Sequence, residues 1–137
     1  MKRISIAVLF AVLVVSVAFA QSAKETAAAD SAKHWLALVD AGKYAASWDE
    51  AAPHFKSAVS KEQWTKALQA TRAPLGNVAS RQQISATYTT SLPGAPDGEY
   101  VVIQFKSSFE HKKSAVETVT PMLDKNGQWR VSGYFIK

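Results

Sequence analysis

The chain has 137 residues, no cysteine, three histidines, and 16 basic against 11 acidic side chains. Without cysteine there are no disulfides, thiolate metal sites or cysteine nucleophiles, so stability must come from packing. The basic excess is mild and scattered, and beyond the first residues Lys112-Lys113 is the only adjacent pair of bases, a pattern that argues against nucleic-acid binding.

Residues 1–20 are expected to be a secretory signal peptide. Met1, Lys2 and Arg3 form a basic start, and the apolar run over residues 4–19 is broken only by Ser5 and Ser16. Ala18 and Ala20 bracket Phe19 in the A-x-A arrangement that signal peptidase accepts, which predicts cleavage between Ala20 and Gln21. The run lies at or below the lower end of the roughly 17–25 residues that span a bilayer, so cleavage is expected rather than anchoring. No cysteine stands at the cleavage point to carry a lipid. Residues 21–137 are therefore expected to be periplasmic or secreted, with no membrane contact after cleavage. Their length suits one domain.

Composition changes character near Gly76, from Ala, Lys and Glu to Val, Thr, Tyr and Phe, which predicts helices first and strands second. Residues 21–31 read as a lead-in with helical character, Ser22 and Glu25 matching a capping box. Ala32, Trp35, Leu36 and Val39 fall on one stripe, predicting a first helix over about residues 24–41 that stops at Gly42. Tyr44, Trp48, Ala51 and Phe55 recur at helical spacing and predict a second helix, with Pro53 ending its hydrogen bonding near Ala52. The third starts at Ser60 as N-cap, with Gln63 completing a capping box and Val59 and Trp64 a hydrophobic staple; it ends before Pro74 and Gly76.

Four strands follow. The first places Ile84, Ala86, Tyr88 and Thr90 on one face and ends at a turn-rich stretch over residues 91–98. The second covers residues 100–109 with Val101, Ile103, Phe105 and Phe109 on one face; the third covers 115–123 and the fourth 129–136. Short connections imply an antiparallel meander. Pro121 cannot donate to a ladder, so it marks an edge position or a bulge. The expected architecture is α+β: three N-terminal helices packed on a curved four-stranded antiparallel sheet, with residues 32–137 as a single domain.

The stretch over residues 39–55 holds aromatic, histidine and carboxylate side chains and poses the question of a catalytic cluster. Helical spacing points Tyr44 and Trp48 to the core and sends Asp49, Glu50 and His34 to water, so the stretch reads as a packing hairpin. Asp40 and His54 escape this division and are candidates to face a cavity. Glu117 shares a strand face with Ala115, Val119 and Leu123; if that face is inward, the carboxylate needs a partner, for which Arg72, Arg81 and Arg130 are candidates. The opposite register would bury Val116 and Met122 instead. No catalytic motif, metal-ligand spacing or glycine-rich phosphate loop is present, so no metal or cofactor is expected.

The strings WLALVDAGKYAASWDEAAPHFKSAVSKEQW, RAPLGNVASR and LPGAPDGEYVVIQFKSSFEHKKSAVETVTPMLDKNGQWRVSGYFIK resemble the bacterial domain of unknown function 4019 family over about residues 32–137. The element order is similar to the nuclear-transport-factor-2-like, or cystatin-like, fold, which implies a cone-shaped sheet wrapped around helices and commonly a pocket between them. The resemblance implies no activity. The first functional expectation is a non-catalytic module of the bacterial envelope that holds a small, partly apolar ligand in a pocket walled by Tyr44, Trp48, Trp64 and Phe105, with Glu117 nearby. The alternative is a homodimeric interaction protein using the sheet face. An isomerase- or dehydratase-like enzyme comes last; it would draw a base from Asp40, His54 and Glu117 and an oxyanion donor from Tyr44, Tyr88, Tyr100 and Tyr134.

Overall fold

The computed structural model describes the backbone from residue 7 to residue 137 and side chains from residue 18 onward. The basic start of the expected signal peptide, and the side chains of its apolar run up to residue 17, lie outside the described residues. Helix α1 runs Ala7–Asp40, α2 Tyr44–Glu50, α3 Pro53–Ala58 and α4 Lys61–Thr71, followed by a 3₁₀ turn at Ala73–Leu75. Strands β1 (Val78–Thr89), β2 (Tyr100–Phe109), β3 (Lys112–Leu123) and β4 (Trp129–Ile136) form one antiparallel sheet in the order β1-β2-β3-β4.

The class is α+β as expected, but with four α-helices instead of three. Pro53 is the reason. Its fixed φ and missing N–H suit the first turn of a helix, so it opens α3 after a two-residue extended link rather than ending a longer α2. In that link the Ala52 N–H donates to the Val131 carbonyl at 2.7 Å, tying the helices to β4. Ser22 likewise sits inside continuous α1 and caps nothing; its carbonyl accepts from the Thr26 hydroxyl.

Within α1 the buried residues Ala28, Ala29, Ala32, Trp35, Leu36 and Val39 form the expected stripe, and α1 touches all four strands. Its end closes as a Schellman motif: Lys43 N–H donates to Leu38 O, Gly42 N–H to Val39 O, and Gly42 adopts φ +74°. At α4 both bonds of the capping box form, Gln63 N–H to Ser60 Oγ and Ser60 N–H to Gln63 Oε1. Val101, Ile103, Phe105 and Val119 meet the helices from the sheet.

The first strand departs from its alternation. A register shift between Gln83 and Ser85 turns Ile84 outward, 52% exposed, while Ala86 and Tyr88 still pack on the core. Pro121 sits at a second irregularity, where Thr120 pairs with Gly133 and Pro121 with Val131, leaving Ser132 of β4 unpaired as a bulge.

Candidate functional site

Glu117 faces inward, so Val116 and Met122 take the half-exposed face. Its position on central β3, between β2 and β4, leaves it with no exposure at all. A buried carboxylate is held only if it is paired and hydrogen-bonded. Here Oε1 accepts from Arg81 Nε at 2.8 Å and Ser107 Oγ at 2.5 Å, and Oε2 accepts from the Tyr134 hydroxyl. Arg81 therefore fills the role for which three arginines were candidates; Arg130 instead pairs with Asp124 at the β3–β4 turn.

The second carboxylate is Asp40, delivered by the last residue of α1. Arg81 grips it with both terminal nitrogens, Nη1 to Oδ2 at 2.7 Å and Nη2 to Oδ1 at 2.9 Å. Arg72, just past α4, adds Nη2 to Asp40 Oδ1 at 3.2 Å, donates Nη1 to the Gly76 carbonyl at 2.6 Å, and lies over the Phe109 ring at 4.5 Å. Two carboxylates and two guanidiniums thus form a chain, Arg72–Asp40–Arg81–Glu117, of zero net charge. Every strand, α1 and the end of α4 contribute to it.

Electrostatics keep two of the donors around these carboxylates, Tyr134 and Arg81, protonated. Burial and the adjacent Glu117 charge push the Tyr134 phenol well above its ordinary range, so it remains a donor. Burial alone would lower the Arg81 guanidinium, but its hydrogen bonds to Asp40 and Glu117 outweigh that and keep it above its ordinary value. Every carboxylate oxygen already accepts a bond, and the one Tyr134 proton is directed at Glu117. A free base facing an acid across a substrate-sized space is not what the residues build.

The aromatic residues close the interior. Trp35 Nε1 donates to Ser47 O and Trp64 Nε1 to Ser47 Oγ, and Trp35 meets Trp64 and Tyr134 at ring-centroid distances of 6.1 and 5.2 Å. Of the five pocket residues expected from the sequence, Phe105 and Glu117 are cross-strand neighbours inside the core. Tyr44 is half-buried against the core, and Trp48 has the Lys56 and Lys61 ammonium groups at 5.7 and 5.3 Å from its ring centroid and donates Nε1 to Val59 O. Trp64 is a buried core residue, packed against Trp35 and Phe55, that also borders open space beside α4. His54, Tyr88 and Tyr100 stand apart from the charged chain; Tyr88 donates to Glu99 and Tyr100 to the Pro96 carbonyl. The outward residues of β2 are Val102, Gln104, Lys106 and Ser108, with Val102 their single apolar member.

The open space beside Trp64 is a groove of about 510 Å³ between α4 and the end of β4. Trp64, Ala67, Leu68 and Thr71 form its helical wall, Leu75 its end, and Tyr134, Phe135, Ile136 and Lys137 its strand wall, with Lys112 at the rim. Tyr134 joins the groove to the buried charged chain. A smaller cleft of about 290 Å³ lies between α1 and β4, where His34 and Glu50 approach to 3.2 Å; both are exposed, and Ser31 spends its hydroxyl on the Trp129 carbonyl. Among the described residues no group of His, Asp and Glu converges as for a metal ion, and no helix is long and apolar enough to cross a membrane.

Sequence reasoning missed Ser107 and most of the groove. Ser107 follows from the ladder, since it pairs with Ala115 and Arg81 and so neighbours Glu117, but pairing cannot be read from one strand. The groove depends on where α4 ends up relative to β4, which no local pattern encodes. The profile of the family described as protein of unknown function (DUF4019) matches residues 31–134. No curated protein matches the chain.

Proposed function

Because the chain belongs to the protein of unknown function (DUF4019) family, whose description assigns no activity, we propose from its geometry that it is a non-catalytic binding module of the bacterial envelope, built on a nuclear-transport-factor-2-like cone and holding a partly apolar ligand in the groove between α4 and β4. The observation that carries this reading is the contrast between two neighbouring regions. The charges of the chain that would have to do chemistry cancel, and each of its carboxylate oxygens already accepts a hydrogen bond. The groove beside it is open and lined by Trp64, Leu68, Leu75, Phe135 and Ile136, with Phe135 57% exposed. Apolar surface left open next to a well-packed core marks a contact site.

Titration with anilinonaphthalene sulfonate, an apolar anion, and native mass spectrometry of the gently purified protein test the reading together. Saturable one-to-one dye binding, or a retained small-molecule mass, is expected, and Ala67→Trp should abolish either. Ala67 is exposed on the groove wall, so the larger side chain fills the groove without entering the core. No saturable binding, or binding unchanged in Ala67→Trp, would refute the proposal.

A further inference from the structure

The groove's strand wall is a free sheet edge. Lys137 and Val116 exchange both backbone bonds, at 2.9 and 3.0 Å, which sets the phase of the β3–β4 ladder. Only alternate residues of an antiparallel strand turn N–H and C=O to the partner. Phe135 therefore faces β3, and the backbone groups of Tyr134 and Ile136 face away from it. On the first half of β4 the outward carbonyls are occupied: Trp129 O accepts from Ser31 and Val131 O from Ala52. The bulge at Ser132 switches the phase, and beyond it, among the described residues, nothing bonds to the outward groups of Tyr134 and Ile136. Helix α4 stands off from β4 by the width of the groove, whereas α1 and α3 pack against β4 directly.

Building on the binding reading above, we propose that the ligand is an extended peptide segment of another protein, added as a fifth strand to the β4 edge at Tyr134–Ile136, with alternate side chains entering the apolar groove. Unmet N–H and C=O groups at strand spacing are satisfied in register by another backbone, while Trp64, Leu68 and Leu75 receive every second side chain. The rim selects charge: Lys112 and Lys137 line the groove and no Asp or Glu side chain does, so the fitting peptide alternates apolar with polar residues and carries a carboxylate. A second copy of this chain would set that basic rim against itself.

The test uses a fluorescent heptapeptide of alternating Val and Thr with a terminal Glu, and two forms of it N-methylated at odd or at even amides. Fluorescence anisotropy should show saturable binding, with one methylation pattern weakening it at least tenfold and the other leaving it within about twofold. Lys112→Glu should weaken the acidic peptide and favour one ending in Lys. Equal binding of both methylated forms overturns strand pairing while the groove reading stands. Dye binding lost in Ala67→Trp, with no peptide binding, overturns the peptide and keeps the groove; absence of both overturns both. A dimer in sedimentation that Ala67→Trp dissociates would make the occupant a second copy and overturn the proposal.

Discussion

Glu117→Leu breaks the buried charged chain at its most secluded member. With the carboxylate gone, two guanidiniums face the single charge of Asp40, and the Ser107 and Tyr134 hydroxyls lose their acceptor. Removing one partner of a buried pair costs about 3–5 kcal/mol, a large share of the roughly 5–15 kcal/mol that holds a domain together. With a urea slope of about 2 kcal/mol per M, the unfolding midpoint should fall by about 2 M. The compensating double variant, Glu117→Leu with Arg81→Met, leaves Asp40 against Arg72, a neutral pair. Replacing a whole buried pair by apolar groups is often close to neutral, so the double variant should recover most of the loss. Urea unfolding followed by tryptophan fluorescence and circular dichroism measures all four corners of the cycle. A single-variant cost below about 1 kcal/mol, or a double variant as unstable as the sum of the singles, would refute the view that charge balance holds this interior.

Three further outcomes are expected. Tyr134 has a folded-state pKa above its unfolded value of about 10, so its contribution is complete below that pH and is lost as pH rises through it; unfolding free energy should fall above pH ~10 by up to about 1.4 kcal/mol per pH unit, and less steeply in Tyr134→Phe. Gly76 adopts φ +75° and ψ −160°, and a Cβ there would meet Glu110 Cβ at 3.0 Å, so Gly76→Ala should cost about 2–3 kcal/mol in thermal or urea unfolding, whereas Gly42→Ala, with open space around it, should cost about 1. Ser60→Ala removes the side-chain half of a complete capping box and should cost about 1 kcal/mol by urea unfolding.

The residues that spoke for themselves did so through local rules. The α1 stripe, the Gly42 stop, the Ser60 cap and the limits of β2 and β4 follow from periodicity, left-handed φ and capping chemistry, which act within a few residues. Local rules also marked Pro121 as a site of irregular pairing. They misjudged Pro53, because the same ring that ends one helix can begin the next, and only the Ala52 to Val131 bond shows the chain turning toward β4. They misplaced Ile84 because it is the unpaired residue of a register shift, while Ala86 and Tyr88 beyond it keep the expected face.

Sequence alone established an α+β order, a cysteine-free interior and an inward-capable Glu117 in need of a cation, since these depend on residue type and spacing. Tertiary structure decided which arginine answers it, joined Asp40 to the same chain from residues far away in sequence, filled the expected aromatic pocket with its own rings, and left an open groove against a free strand edge. Pairing register and the stand-off between α4 and β4 are long-range quantities, set by how whole elements pack, and no short stretch of the chain encodes them.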